Sequence, residues 1–415
     1  MAASHVAKTA FTGTGVSGVE SWPGARPLAA RSEAREAPSA AAVSTTPSTK
    51  TAGSVCETSA EPTSAIVVSL DRLGQTFGRY GEGARGAQRL HSAFETRRLL
   101  MNRRWHVVFG TGALGLAVAR ALVQRGARVR MVNRTGVARH APDGVEMISA
   151  DAYDPSQARA ACDGAEVVYQ CAAPRYTEWA ERFPALQTSI VDAASQVGVR
   201  LVVGDNLYMY GCVAGPLVET LPHGATTKKG RVRARLAASL LTAHNEGRVR
   251  VTIGRGSDFF GPAVVGSVVG ERFFRAALEG RPVDVFANAH APHSYTFIDD
   301  FGAALVELGE RDEAFGRAWH VPSLPAVSSR QFAQTVIAAA GTRSAIREVP
   351  RWTIRVCGLV APPVREMIEM LYMFEKPFVV DDSAFTRAFA TPATPLAAAV
   401  EKTLRWYAAA GQSAA

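Results

Sequence analysis

The chain contains little cysteine, five residues among 415. They are Cys56, Cys162, Cys171, Cys212 and Cys357. Because the count is odd and no Cys-x-x-Cys pair occurs, neither a disulfide framework nor a zinc cage is expected. The nine histidines form no His-x-x-x-His pair beside a carboxylate, so no metal site is predicted. Unpaired thiols are typical of a reducing compartment, and we expect a cytoplasmic protein.

Long apolar runs are also missing. No stretch of about 18 apolar residues occurs, so the sequence predicts neither a membrane span nor a membrane partner. The first residues lack a basic flank followed by an apolar core, which argues against a secretory signal. A Gly-x-Ser-x-Gly elbow is absent as well, and this argues against an α/β-hydrolase.

The net charge is +9, which raises the question of an anionic partner. Arginine is spread over the whole chain, and no dense Lys/Arg block with interleaved aromatic residues occurs. We therefore expect no nucleic-acid partner.

Residues 1–100 differ in composition from the rest, being rich in Ala, Ser, Thr, Gly and Pro. Such a segment buries too little apolar surface to offset its ordering entropy, and we predict a disordered tail. Met101 is a candidate translation start. A transit peptide is the weaker alternative, because the segment carries several acidic residues.

From residue 104 onward, apolar strands alternate with helical patterns. The predicted strands are 105–109, 128–132, 147–150, 166–170, 200–204 and 249–253, and the clearest helices are 114–125 and 231–245. Asp154-Pro155 predicts an N-cap with Pro at the first helical position. This alternation predicts an α/β fold with a doubly wound parallel sheet.

Beyond residue 261 the alternation loosens into a smaller C-terminal substrate lobe. We predict helices at 265–279, 330–340, 363–373 and 395–407, and a strand at 283–286. The predicted domains are a tail (1–100), a dinucleotide-binding Rossmann domain (101–262, with returns near 293–310) and a lobe that is mainly substrate-binding (263–415).

A Gly-x-Gly-x-x-Gly turn spans Gly110 to Gly115, between a buried strand and a helix. That context is the one a dinucleotide needs. Gly110 allows the tight turn, Gly112 lets the backbone approach a pyrophosphate, and Gly115 lets the helix lie close to the sheet. Free N–H groups at the helix start then face the phosphates.

The end of the second strand bears on the choice of cofactor. A carboxylate there would accept a hydrogen bond from the ribose 2′-hydroxyl of NAD. This chain has Asn133-Arg134 instead, and Arg134 can pair with a 2′-phosphate. The pattern favours NADP, and NAD remains open because Arg134 also suits a solvated surface.

Several further motifs resemble those of the extended and atypical short-chain dehydrogenase/reductases, a superfamily that includes NAD-dependent epimerases and dehydratases. Residues 170–174 are similar to its Asn-Ala-Ala-Gly segment, and residues 205–211 to its Ser-Ser-x-x-Val-Tyr-Gly. Residues 254–262 resemble its Arg-x-x-x-x-Tyr-Gly-Pro, and Asp299-Asp300 its Val-Asp-Asp element. The resemblance covers about residues 104–407.

Together, the glycine turn and the resemblance assign a set of cofactor-binding residues. These are Gly110, Thr111, Gly112, Ala113, Leu114, Gly115, Asn133, Arg134, Asp151, Cys171, Ala172 and Ala173. The resemblance also implies a small-molecule substrate, and because helices of this fold often pair in dimers, a homodimer.

The chain departs from the family at the catalytic pair. The family's Tyr-x-x-x-Lys would follow Tyr210 by about twenty residues, where this chain reads Thr227-Lys-Lys-Gly-Arg231. Hydride transfer still needs a proton donor.

Tyr208 and Tyr210 follow the fifth strand at the carboxyl edge of the sheet, where ligands bind, and strand alternation would point them the same way. We predict Tyr208 as the proton donor and a packing role for Tyr210. Asn206 would hydrogen-bond a substrate carbonyl. Lys228 and Lys229 would lower the pKa of Tyr208, bind an anionic group, or lie in a solvated turn.

Four other side chains, three aromatic residues and one histidine, are assigned to the substrate pocket or to packing. Tyr176 and Trp179 either line the substrate pocket or cap it, and His293 and Tyr295 are read as packing or surface residues.

Three functions remain open. The first is an oxidoreductase, or an epimerase or dehydratase using its cofactor transiently. The second is a non-catalytic NADP-sensing regulator, which the missing Tyr-x-x-x-Lys favours. The third is a basic nucleic-acid scaffold. The large region beyond Gly261 favours the first.

Overall fold

The computed structural model of the protein describes residues 104–412. The predicted disordered tail and Cys56 therefore lie outside the described residues. Among residues 104–412, no helix has the length and apolar character that a membrane span requires.

A seven-stranded sheet, parallel throughout, forms the centre of the fold, with strand order β11-β6-β5-β4-β1-β2-β3. Its strands are β1 (Trp105–Phe109), β2 (Arg128–Asn133), β3 (Glu146–Ser149), β4 (Ala165–Gln170), β5 (Arg200–Asp205), β6 (Val251–Arg255) and β11 (Ala318–His320). The predicted doubly wound α/β fold is confirmed. The order reverses between β1 and β4, which opens a crevice at the carboxyl ends of these strands.

The helices cover both faces of this sheet and extend into the C-terminal region. They are α1 (Ala113–Gln124), α2 (Pro155–Ala161), α3 (Trp179–Val197), α4 (Lys228–Asn245), α5 (Glu271–Leu278), α6 (Ile298–Glu310), α7 (Ser329–Ala339), α8 (Arg351–Val360), α9 (Pro362–Ile368), α10 (Tyr372–Glu375), α11 (Ser383–Phe389) and α12 (Leu396–Gln412).

Strand β1 shows why the central strands are apolar without interruption. Val107 and Phe109 pack into a core with helices α2, α3 and α4, whereas Val108 packs into a second core with α1, α6 and α11. Because successive side chains of a strand point to opposite faces, a strand covered on both faces must be apolar at every position. Helix α2 begins as predicted, since the Asp154 side chain accepts hydrogen bonds from the amides of Ser156 and Gln157.

Short strands and a third core complete the C-terminal region. The strands are β7 (Asp258–Phe260), β8 (Val283–Phe286), β9 (Pro292–His293), β10 (Tyr295–Phe297), β12 (Val327–Ser328) and β13 (Ile346–Val349). They pair as β7 with β10, β8 with β13 and β9 with β12. Phe260, Phe274, Phe332 and Tyr407 lie in the third core, between α5, α7 and α12.

Two predicted helices are wrong in extent. The helix predicted at 265–279 is only α5, Glu271–Leu278, because Gly266 and Gly270 interrupt the segment before it. The helix predicted at 363–373 divides into α9 and α10. Between them the amides of Met370 and Leu371 donate to carbonyls three residues back, a tighter pattern that ends the α-helix.

Candidate functional site

The three glycines of the turn after β1 have different surroundings. Gly110 adopts φ +103°, and a Cβ there would lie 2.7 Å from the Ala172 amide nitrogen. A Cβ on Gly115 would lie 2.0 Å from the Gly110 carbonyl oxygen. Around Gly112, no atom comes within 4 Å of an added Cβ. Packing therefore requires Gly110 and Gly115, whereas Gly112 borders open space.

Helix α1 begins at this open space. Gly112 is its N-cap, makes no side-chain capping bond, and is followed by no acidic residue in the first turn. The first amides of the helix, on Ala113, Leu114 and Gly115, precede the intrahelical hydrogen bonds, which start with Leu116 donating to Gly112. Unpaired N–H groups and the positive end of the helix dipole favour an anion at this point.

Asn133 organises the turn at the end of β2. Its Oδ1 accepts from the amides of Thr135, at 3.0 Å, and Gly136, at 2.7 Å. Its Nδ2 donates to Thr111 Oγ1 at 2.9 Å and to the Val137 carbonyl at 2.8 Å. The amide group is thus committed to the protein, so that its part in a cofactor site is to hold the glycine turn and the β2 turn together.

Next along the chain, Arg134 is exposed, and its side chain makes no hydrogen bond or ion pair with any residue between 104 and 412. Only its backbone carbonyl is engaged, by Ser149 Oγ at 3.1 Å. The guanidinium is available beside the turn that Asn133 holds.

The remaining predicted cofactor residues follow β3 and β4. Asp151 Oδ1 accepts from the Tyr153 amide at 3.0 Å. The Cys171 amide donates to the Phe109 carbonyl, and the side chains of Cys171 and Ala172 pack toward opposite cores. Gln170, at the end of β4, is buried, and its Oε1 has no partner among the described residues.

The predicted common direction of Tyr208 and Tyr210 is wrong. Residues Tyr208–Tyr210 form a 3₁₀ turn instead of strand, and in that geometry side chains two residues apart diverge. The Tyr210 hydroxyl lies 2.9 Å from His320 Nε2 and accepts from Arg255 at 2.6 Å. Tyr210 is therefore part of a buried structural network, in line with its predicted packing role.

Tyr208 belongs to a different cluster. Its ring centroid lies 6.0 Å from that of Trp179, and the Tyr176 ring lies 5.1 Å from Trp179 in turn. Burial, together with the nearby Tyr176 and Asp258, raises the pKa of Tyr208 well above its usual range, although the positive charge of Arg233 opposes the rise. Tyr208 is thus a neutral phenol at physiological pH and can donate a proton.

Two cations on α4 face this cluster, Lys229 and Arg233, which are one helical turn apart and both buried. Lys229 Nζ lies 4.3 Å from the ring centroid of Tyr176 and forms ion pairs with Glu366 and Glu369. Lys229 was predicted to lower the pKa of Tyr208. In the structure, the cation whose charge lowers this pKa is Arg233.

Arg233 is held by both charge and stacking. Its guanidinium lies over the Trp179 ring at 4.3 Å and pairs with Asp205 at 3.1 Å. Lys229 and Arg233 occupy the helical spacing, four residues apart, that the family uses for its Tyr-x-x-x-Lys. The sequence motif is absent, but α4 still presents two side chains with this spacing to the cluster.

Asn206 lies beside Tyr208. Its Oδ1 accepts from the Tyr208 amide at 3.1 Å, whereas its Nδ2 has no partner in the described part of the chain. That amide group is free to donate, and its bond to a substrate carbonyl stays a prediction.

The sequence reading missed the pair of Asp258 and His293. His293 is buried, its Nδ1 lies 3.1 Å from the Met373 carbonyl, and its Nε2 lies 2.9 Å from Asp258 Oδ2. Because a carbonyl only accepts, Nδ1 carries a hydrogen, and Nε2 and the carboxyl group share another. Burial chiefly raises the pKa of Tyr176, Tyr208 and Tyr372, and the charge of Asp258 adds to the rise in all three. A lone acidic residue before Phe259 and Phe260 was the available signal.

Tyr176 and Trp179 were predicted to line or cap the substrate pocket. In the structure Trp179 is buried, and Tyr176 lies partly buried against it. Tyr295 is buried and hydrogen-bonded to Ser329 at 3.0 Å.

This architecture is similar to that of known proteins. The model of the NAD dependent epimerase/dehydratase family matches residues 106–321. No curated protein matches the sequence. Among solved structures, an epimerase from Methanothermobacter thermautotrophicus is 17% identical with a TM-score of 0.63, over 76% of this chain and 95% of that chain.

Two further solved structures are similar over nearly their whole length. A UDP-glucose 4-epimerase from Thermus thermophilus, solved with NAD, is 18% identical with a TM-score of 0.61, over 74% of this chain and 99% of that one. A dTDP-glucose 4,6-dehydratase from Bacillus anthracis, also with NAD, is 11% identical with a TM-score of 0.62, over 74% and 98%. At these identities the likeness shows the fold.

The family match spans more than half of the chain and includes the glycine turn, the crevice and the Tyr208 cluster. It confirms the resemblance found in the sequence, and the chain belongs to the NAD dependent epimerase/dehydratase family.

Proposed function

We propose that the chain is an NADP-preferring reductase that delivers hydride and a proton to a small carbonyl or enone substrate. The observation that carries the proposal is the open space at Gly112, bordered by the uncapped start of α1 and flanked by two glycines that packing requires. This arrangement fits the pyrophosphate of a dinucleotide.

The cofactor preference rests on Arg134. It is exposed, without a side-chain partner among residues 104–412, and Asn133 beside it replaces the expected carboxylate. A guanidinium at this position pairs with a 2′-phosphate. Two similar structures were solved with NAD, which makes NAD the competing cofactor.

The bound nicotinamide would supply the hydride. Asn206 Nδ2 then polarises the substrate oxygen, and Tyr208 donates its proton to the alkoxide as the C–H bond forms. We infer that Tyr176, which packs against Trp179 in the same cluster, returns a proton to Tyr208. We infer that Asp258 and His293 are the acid–base pair that resupplies the two phenols.

The raised pKa of Tyr208 supports reduction over epimerisation. Epimerisation and dehydration begin with the removal of a hydroxyl proton, which requires a base. At neutral pH the Tyr208 phenol, with its raised pKa, is almost entirely protonated and is rarely available as a base, whereas its proton can pass to an alkoxide, which is more basic than a phenolate.

The cofactor arm of the test is a fluorescence titration of the full chain with NADPH and NADH. We expect tighter binding of NADPH, and loss of that preference in Arg134→Ala. Arg235→Ala, which removes another exposed arginine, on α4, is the matched control and should bind as the wild type does. Failure of both nucleotides to bind at millimolar concentration would overturn the proposal.

The chemical arm follows NADPH oxidation with a panel of aldehydes, ketones, enones and sugar nucleotides. Tyr208→Phe is expected to lower kcat by about 10²-fold or more and to leave nucleotide affinity unchanged. Tyr407→Phe, which removes a buried phenol in the third core, controls for the loss of a hydroxyl group. Nucleotide binding without turnover of any substrate would instead favour the regulatory NADP sensor.

A further inference from the structure

Helix α8 leaves an apolar stripe in solvent. Its buried face consists of Ile354 and Gly358. The opposite face exposes Trp352 by 68%, Val356 by 57%, Leu359 by 80% and Val360 by 82%. Spacings of four and three residues align these side chains along one side of the helix. Isolated exposed apolar residues are ordinary, but a contiguous row of this size is typical of an interaction surface.

Arginines border this stripe, and α8 itself carries no carboxylate. Residues 351–365 contain Arg351, Arg355 and Arg365 and no Asp or Glu. Arg351 pairs with Glu375 at 3.0 Å. Arg355 is exposed and has no ion-pair partner within residues 104–412. The face is therefore apolar with a positive edge.

We propose that this face of α8 docks on an anionic membrane surface, with the apolar row at the level of the headgroups and the arginines on lipid phosphates. Trp, Leu and Val on one side of a helix with arginine at the edge are the pattern of an interfacial helix. The lack of a membrane span led to the prediction of no membrane partner, but docking at a membrane surface requires no span.

Charge decides between a membrane and a second copy of the chain. A two-fold interface would place the same surface of both copies together, so that the Arg355 side chains of the two copies would be buried in one interface, and α8 carries no carboxylate to neutralise them. An anionic bilayer supplies the missing negative charge.

The test is co-sedimentation of the full chain with vesicles of phosphatidylcholine alone, or of phosphatidylcholine mixed with phosphatidylglycerol. We expect binding to the mixed vesicles that weakens with added salt and little binding to the neutral ones. The double variant Trp352→Ala/Leu359→Ser should lower partitioning by about tenfold or more. Val265→Ser, at an apolar residue 65% exposed elsewhere, is the matched control and should bind as the wild type does.

Two outcomes would overturn the proposal. One is equal sedimentation of the double variant and the wild type, which would place any lipid binding outside α8. The other is concentration-dependent self-association in analytical ultracentrifugation, abolished by the double variant, together with no vesicle binding. Thermal unfolding of each variant shows whether it is folded, and neither outcome depends on nucleotide binding or turnover.

Discussion

Asn133 Nδ2 donates to Thr111 Oγ1 across 2.9 Å, and this single bond joins the turn after β2 to the glycine turn after β1. The same amide group also holds the backbone of residues 135–137. The position of Arg134 relative to the glycine turn therefore depends on Asn133.

Replacement of Asn133 should thus affect both stability and nucleotide choice. Asn133→Ala removes several hydrogen bonds, and we expect a loss of about 1–3 kcal/mol of unfolding free energy together with weaker NADPH binding. Asn133→Asp retains the acceptor, loses the bond to Thr111 and adds a carboxylate, so the preference should shift toward NADH. Urea unfolding and fluorescence titration measure the two effects. Unchanged binding in both variants would remove Asn133 from the site.

The glycines at 112 and 115 should respond oppositely to alanine. Gly112→Ala adds a methyl group to open space at φ −75°, so we expect unchanged thermal stability and weaker dinucleotide binding. Gly115→Ala forces a Cβ against the Gly110 carbonyl, and a destabilisation of about 3 kcal/mol or more is expected. Gly266→Ala, also in open space but outside the turn, should change neither quantity. Full binding by Gly112→Ala would contradict the pyrophosphate site.

His106 should make the fold sensitive to mild acid. Burial, with the charges of Arg200 and Arg125, lowers the pKa of His106 from 6.5 to about 4. Between these values the unfolded chain binds more protons than the folded one, so stability is complete above the unfolded pKa and falls as the pH drops toward 4. We expect His106 to account for a loss of about 2 kcal/mol between pH 7 and pH 5.

Urea unfolding at the two pH values measures this dependence. His106→Gln retains polarity without titrating, and its stability should change by about 2 kcal/mol less than that of the wild type over the same range. Equal slopes for both proteins would show that His106 is not the responsible group.

Asp205 should be among the most sensitive carboxylates of the sheet. It is buried between Arg233, at 3.1 Å, and Arg255, at 3.4 Å. Asp205→Ala leaves two buried guanidinium groups without their counter-charge, and we expect a loss of about 3–5 kcal/mol. The exposed pair of Arg250 and Asp312 is the control, because Asp312→Ala should cost less than about 1 kcal/mol. Similar midpoints of chemical unfolding for both variants would contradict this reading.

The sheet was predictable because its strands are buried on both faces. Strand β1 matches its predicted bounds, and the next five differ by one or two residues at one or both ends, since Val- and Ile-rich runs between glycine turns have few alternatives. Strand β11 was missed because Ala318–His320 is too short to show a pattern. Helix α3 was missed as well, and Pro184 lies within it.

The site was predictable only in part. The glycine turn was recognisable from its local sequence, since the steric roles of its glycines follow from the pattern itself. The partners of Tyr208 come from segments far apart in sequence, with Trp179 on α3, Arg233 on α4 and Asp258 on β7. His293 was read as packing because nothing local to it indicates a carboxylate 2.9 Å away. Such pairs form only when the chain folds, because their residues are far apart in sequence. No fixed sequence spacing therefore identifies them.

Glu369 accepts hydrogen bonds from the amides of Lys228 and Lys229, and so completes the start of α4 from a segment about 140 residues later in the chain. An exchange of residues 362–375 with the equivalent segment of a relative would remove this cap and leave the Lys229 ammonium buried without its carboxylates. The C-terminal segment and α4 therefore form one heritable unit, and a substitution on one side constrains which substitutions the other side tolerates.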